Sequence, residues 1–258
     1  MKLYFKFLMI NLKSQMQFRL SFLFLLIARS FVSIGVFAGI YFMFLRFNKV
    51  EGFGYDEVLL CFSVVFTAFS IAECYARGFD AFPSVISNGE FDRIMVRPRN
   101  EIFLILAARM EFTNIGRFFT ALIVLIYAIP ASGINWTFDK AITLFMMIIS
   151  GVIIFSGLFL IYAALCFFTL EGLEFMNIFT DGGRNFGQYP YAIYGDGVLK
   201  FLTYIIPLAL FQYYPLLYIT ERSANILYMF TPVIGMLFII PCYIIWRIGV
   251  SKYKSTGS

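Results

Sequence analysis

The sequence contains no histidine. That absence removes histidine general acid–base catalysis, HExxH zinc sites and Ser–His–Asp triads together. No GxxxxGK[ST] run occurs either, so the chain has no P-loop of its own. Charge is scarce: 14% of the residues are charged, against about 25% in soluble domains. The four cysteines, Cys61, Cys74, Cys166 and Cys242, stand singly in apolar runs without CxxC spacing and read as buried structural thiols. What fills the chain instead is oil. It is 61% hydrophobic with 34 Phe, and its mean hydropathy is +0.84. This composition predicts an all-α, polytopic membrane protein built as a single domain over residues 1–258.

A helix needs about 20 mainly apolar residues to cross the hydrocarbon core. Six stretches qualify: Leu20–Leu45, Glu57–Tyr75, Phe112–Ile129, Ala141–Phe168, Val198–Tyr218 and Ile226–Trp246. Pro207 and Pro215 interrupt the fifth, which reads as a kinked span or as a span followed by a re-entrant helix on the far side. Lysine and arginine alternate by side. Lys2, Lys6, Lys13, Arg19, Arg77, Arg93, Arg97, Arg99, Arg184, Arg247, Lys252 and Lys254 fall on one side, and Arg46, Lys49, Lys140 and Arg222 on the other. The positive-inside rule then puts both termini in the cytoplasm. The same asymmetry accounts for the formal charge of +5 without a nucleic-acid partner. Residues 1–19 lack the cleavage site of a signal peptide. Their lysines share a narrow arc, as in an interfacial helix lying on lipid. Residues 247–258 form a cytoplasmic tail.

One stretch breaks the pattern. SNGEFDRIMVRPRN, Ser87 to Asn100, sits between the second and third spans. Asn88–Gly89 is a turn dipeptide, Ser87 and Glu90 have capping-box spacing, and Arg97–Pro98 ends the helix so started. A further helix is expected from Pro98 into the third span, about 45 Å from Asn100 to Pro130. The result is a charged helical knuckle outside the membrane, the alternative being a plain solvated loop. Gly35 and Gly39 form GxxxG in the first span, a spacing that lets helices approach closely. Arg29 and Glu73 are ionisable residues inside apolar runs, lie equally far from Glu51, and are expected to pair. Glu171, Glu174, Asp181 and Arg184 follow the fourth span in a segment read as a turn-rich cytoplasmic connection.

Three segments resemble permeases of the type-2 class of ABC exporters. NGEFDRIMVRP resembles their G-(E/x)-(F/L)-D-x-x-L-x-R-P segment, with Met95 in place of the usual Leu and an extra Arg99. FTDGGRNFGQYPYAIY (Phe179–Tyr194) is similar to their G-R-x-x-x-x-P-x-x-I-Y run, and YIIPLALFQYYPLLYI (Tyr204–Ile219) to their I-P-x-A-x-x-x-x-x-P segment. The order is the family's, and with the six spans the likeness covers nearly the whole chain. It implies one half of the membrane part of an exporter in a bacterial cell membrane, not itself an enzyme. A separate ATPase dimer would bind ATP and Mg and grip the knuckle through Gly89, Glu90, Phe91, Asp92, Arg93, Ile94, Arg97 and Pro98. Of these, Asp92, Arg93 and Arg97 would make polar contacts, and Phe91 and Ile94 an apolar plug. A second permease would pack near the first span, and the subgroup favours a heterodimer over a homodimer. Spans rich in Phe, Tyr and Met suit a hydrophobic or amphipathic cargo such as a drug, a lipid-like molecule or a peptide.

The alternative is a secondary transporter driven by an ion gradient. That would call for midplane ionisable residues and an internal repeat, and the middles of the fourth and sixth spans hold no charge. An intramembrane enzyme would need a nucleophile–base pair or a ligand cluster, and the sequence offers neither.

Overall fold

A computed structural model of the chain describes residues 2–47, 49–50, 52–169 and 174–254, the side chains of residues 2–5 excepted. Glu171, the Lys2 side chain and the tail beyond residue 254 lie outside the described residues. Among those described the structure is helical, with one isolated bridge between Val50 and Phe53. The helices are α1 (Lys2–Gln15), α2 (Arg19–Arg46), α3 (Tyr55–Ala76), α4 (Phe82–Ser87), α5 (Glu90–Met95), α6 (Glu101–Ala108), α7 (Ile115–Ala131), α8 (Phe138–Thr169), α9 (Asp181–Phe186), α10 (Asp196–Tyr204), α11 (Leu208–Ile219), α12 (Thr231–Met236) and α13 (Ile239–Lys252).

Five helical stretches are long and apolar enough to cross a membrane: Lys6–Arg46, Tyr55–Ser87, Phe112–Ala131, Phe138–Thr169 and Ile226–Lys252. A sixth crossing exists only if α10 and α11, bent by 112° at their junction, count as one. Side-chain contacts fix the ends of the bundle. The last turns of α8 and α13 meet the knuckle through Phe167 and Trp246. The start of α8 meets the end of α11 through Lys140 and Glu221. The α1 helix is separated from α2 by a 3-10 turn, Met16–Phe18. It bonds to the opening of the third crossing, where Asn11 donates to the Ala107 carbonyl at 2.7 Å and the Phe112 amide to Gln15 at 3.1 Å. The α1 helix, leading into α2, and the end of α13 therefore both meet the knuckle end of the bundle.

The α3 helix is the axis. Its residues from Val58 to Phe69 are almost all fully buried, whereas α2 leaves Phe24, Phe31, Val32 and Phe42 open. Two apolar cores stack along it. One centres on Phe37, Phe62 and Phe66 near the far end, the other on Phe69, Phe82, Phe91, Phe155 and Trp246 towards the knuckle.

The fifth stretch, read as a kinked span or a span with a re-entrant helix, is bent by 112° between α10 and α11. From Glu174 to Tyr194 the chain runs through short turns rather than a long helix. At Gly187 a Cβ would lie 2.7 Å from Val65, the midpoint of α3, and the Tyr189 hydroxyl reaches the Met43 sulfur at 3.0 Å. The chain then doubles back, with the Tyr191 hydroxyl on the Gly183 carbonyl at 3.2 Å and that of Tyr194 on the Phe186 carbonyl at 2.9 Å. The segment read from sequence as a turn-rich cytoplasmic connection is thus, from Asp181 onward, a hairpin inserted at the depth of mid-α3. Non-helical backbone at that depth must be satisfied by protein. Gln212, fully buried, donates to the Gly187 and Tyr189 carbonyls at 3.2 and 2.9 Å.

Candidate functional site

The knuckle forms as its sequence dictates, with one change of cap. Gly89 adopts φ 67°, a left-handed conformation that glycine reaches without a Cβ penalty. Its amide and that of Asn88 close the end of α4 on the Ile86 and Ser84 carbonyls. Ser87 is the last residue of α4, and its hydroxyl turns back to the Ser84 carbonyl at 3.3 Å. It therefore does not cap α5, and the expected Ser87–Glu90 capping box is absent. The α5 helix ends at Met95, ahead of Pro98, and the Asn100 side chain caps α6 by accepting from the Phe103 amide at 3.3 Å. The long helix expected from Asn100 to Pro130 is broken at Arg109–Glu111.

A second correction concerns which face of α5 is offered. Phe91 is fully buried, ringed by Phe82 at 5.4 Å, Phe167 at 5.1 Å and Tyr253 at 5.0 Å between ring centroids. Ile94, one turn on, is half-buried against the same core. Helical spacing puts these two on one face and Glu90, Arg93 and Arg97 on the other. The outward surface is therefore basic, with Arg93, Arg97 and Arg99 exposed beside Pro98, and its apolar tip is Val96, 83% exposed, next to Met95. Asp92 is half-buried.

Above the knuckle lies a group of charges that the sequence did not assemble. Glu73 is fully buried. It accepts from Arg117 at 2.8 Å on each oxygen and from Arg77 one turn along. Arg77 also meets Asp80 at 3.1 Å and Asp181 at 3.9 Å, and Asp181 meets Arg184 at 3.5 Å. Arg184 belongs to the inserted hairpin, and its guanidinium lies over the Phe69 ring, 4.9 Å from the centroid. Arg29 approaches from α2, bonding to Asn114 and meeting Glu111 at 3.3 Å. The expected Arg29–Glu73 pair is thus replaced. Both residues lie at the height that counting predicts, but Arg117 on α7 occupies the position next to Glu73. Arg117 went unnoticed although a lone arginine in the apolar run FTNIGRFFTALIV was the signal for it.

Four guanidinium groups and four carboxylates gather here, so the group is close to electroneutral. It joins α2, α3 and α7 to α9, which opens the inserted hairpin. Gly35 and Gly39 on α2 are exposed, with no atom near a Cβ built on either, so they serve no packing within the chain. Among the described residues no group of three or more His, Cys, Asp or Glu is placed to hold a metal ion.

A family model described as ABC-2 family transporter protein matches residues 30–257. No curated protein and no solved structure gives a significant match.

Proposed function

Since the chain belongs to the ABC-2 family of transporter proteins and is a multi-pass membrane protein, we propose that it is the permease subunit of an ATP-driven exporter. In this reading the knuckle and both termini face the cytoplasm of a bacterial cell. A separate ATPase dimer carries ATP and Mg and docks on the knuckle. A second permease, more readily a related chain than an identical copy, packs against the open face of α2 at Gly35 and Gly39. The cargo is hydrophobic or amphipathic.

The observation that carries the reading is the knuckle itself. Two short helices joined by a left-handed glycine hold Arg93, Arg97, Val96 and Pro98 outward while Phe91 anchors them inward. A solvated connector has no need of a buried aromatic root. Truncating a charge buried in an interface costs several kcal/mol, whereas a solvated charge costs almost nothing. Arg97→Ala and Arg93→Ala are expected to reduce ATP-driven transport while the permease inserts at normal levels. Arg93→Cys and Val96→Cys are expected to crosslink to the ATPase in membranes. Normal transport by both alanine variants, or crosslinking that never involves these positions, would remove the coupling role.

A further inference from the structure

The inbound limb of the knuckle reaches α3 only through the 3-10 turn Arg77–Ala81. The outbound limb, α6, is cut from α7 at Arg109–Glu111. Neither neighbour in the sequence is joined to the knuckle by unbroken α-helix. The packing lies elsewhere. Phe91 is enclosed by Phe82 of its own limb, by Phe167 at the end of α8, and by Trp246 and Tyr253 at the end of α13. Phe167 in turn lies 5.1 Å from Trp246 and 5.9 Å from Tyr253, and Phe79 lies 6.0 Å from Trp246. Such ring contacts stabilise the packing beyond the area they bury. The outbound limb is held by the same helix, since the Trp246 indole and Arg247 both meet Glu101, at 3.5 and 3.3 Å. The α13 helix meets α8 too closely for a side chain at Gly249, where a Cβ would lie 2.5 Å from the Phe167 ring and 3.2 Å from the Ala164 carbonyl.

We infer that this six-ring joint, with Phe91 at its centre, delivers movement of the knuckle directly to α8 and α13, the spans distant from it in sequence. Phe91, Phe167, Trp246 and Tyr253 are then positioning residues for coupling. Close-packed interiors transmit displacement because they are hard to compress, and the 3-10 turn Arg77–Ala81 itself enters the joint through Phe79. The inference rests on the reading that an ATPase docks on the knuckle.

The test uses the permease–ATPase complex with spin labels at Tyr127→Cys and Leu227→Cys, both exposed sites towards the far end. MgATP with vanadate is the probe, and Arg93→Cys crosslinking in a parallel sample reports docking. In the unmodified complex the probe is expected to shift the 127–227 distance. Tyr253→Ala and Phe91→Leu are expected to lose most of that shift while crosslinking normally, and Tyr253→Phe, which keeps the ring, is expected to restore it. Tyr253 is only half-buried, so its variants fold even if those at Phe91 do not. A parent complex that crosslinks but whose variants keep the full shift removes the joint and leaves the docking reading intact. Loss of crosslinking in the variants alone, failure of Tyr253→Phe to restore the shift, or no shift in the parent also overturns the joint. A parent that never crosslinks removes the docking reading, and the joint with it.

Discussion

The two ends of the bundle use charge in opposite ways. At the knuckle end Glu73 is withdrawn from solvent and shared between Arg77 and Arg117, and the surrounding charges are drawn from α2, α3, α7, α9 and two connections. At the far end there are separate pairs. Lys140 meets Glu221 at 2.5 Å and Arg222 meets Glu57 at 2.6 Å, with Glu221 67% exposed and Arg222 31%. Desolvation makes the first arrangement costly to disturb, because removing one member strands a buried partner. In the second, solvent reaches one member of each pair and screens it, although Lys140 is itself only 7% exposed. The far end is a set of clasps between loops. The knuckle end is a single group around the buried Glu73, and it takes in α9 of the inserted hairpin.

The strongest test of that contrast is Glu73→Ala. It leaves Arg117 and Arg77 uncompensated and is expected to cost about 3–5 kcal/mol, read as a large drop in the thermal midpoint of the detergent-solubilised protein. Adding Arg117→Met should recover part of the loss, since coupled sites are non-additive. A midpoint no lower than that of Arg222→Ala would erase the distinction between the two ends. Next in size is Gly187→Ala, which forces a methyl against Val65 and is expected to cost about 1–3 kcal/mol; an unchanged midpoint would mean that the hairpin sits higher or lower along α3. The smallest effect sharpens the far end. The α11 helix closes with the Arg222 amide on the Leu217 carbonyl and the Glu221 amide on that of Tyr218, and Glu221 takes the left-handed position, φ 58°, where glycine is usual. Glu221→Ala and Glu221→Gly both lose the pair with Lys140, but only glycine also loses the strain. The glycine variant should be the more stable of the two by about 1 kcal/mol. Equal midpoints would show that the strain is relieved some other way.

Much of the fold was legible because hydropathy is a property of runs. Five of the six expected spans correspond to continuous helical stretches, and Asn88–Gly89 marked the turn of the knuckle. What escaped depended on direction. Counting from Glu51 placed Arg29 and Glu73 at one height, but height does not say which way a side chain points around a helix, and Arg117 holds the facing position. The same limit hid Phe91. In a helix of six residues, Glu90–Met95, no periodicity is long enough to tell the inward face from the outward one. The hairpin at 181–194 escaped for another reason. Its Asp, Arg, Asn and Gly residues have the composition of an exposed turn, and only the charges and the Gln212 amide supplied by distant helices make it tolerable inside the bundle.

The cage around Phe91 also sets an order of construction. The knuckle is synthesised early, but the rings that enclose it arrive with α8 and then, long afterwards, with α13. Until α13 has been inserted, Phe91 lacks two of its neighbours and Glu101 its indole and guanidinium partners. Chains fold as they emerge, with early segments waiting for late ones. The inner root of the knuckle is therefore completed last, although its own residues are made early.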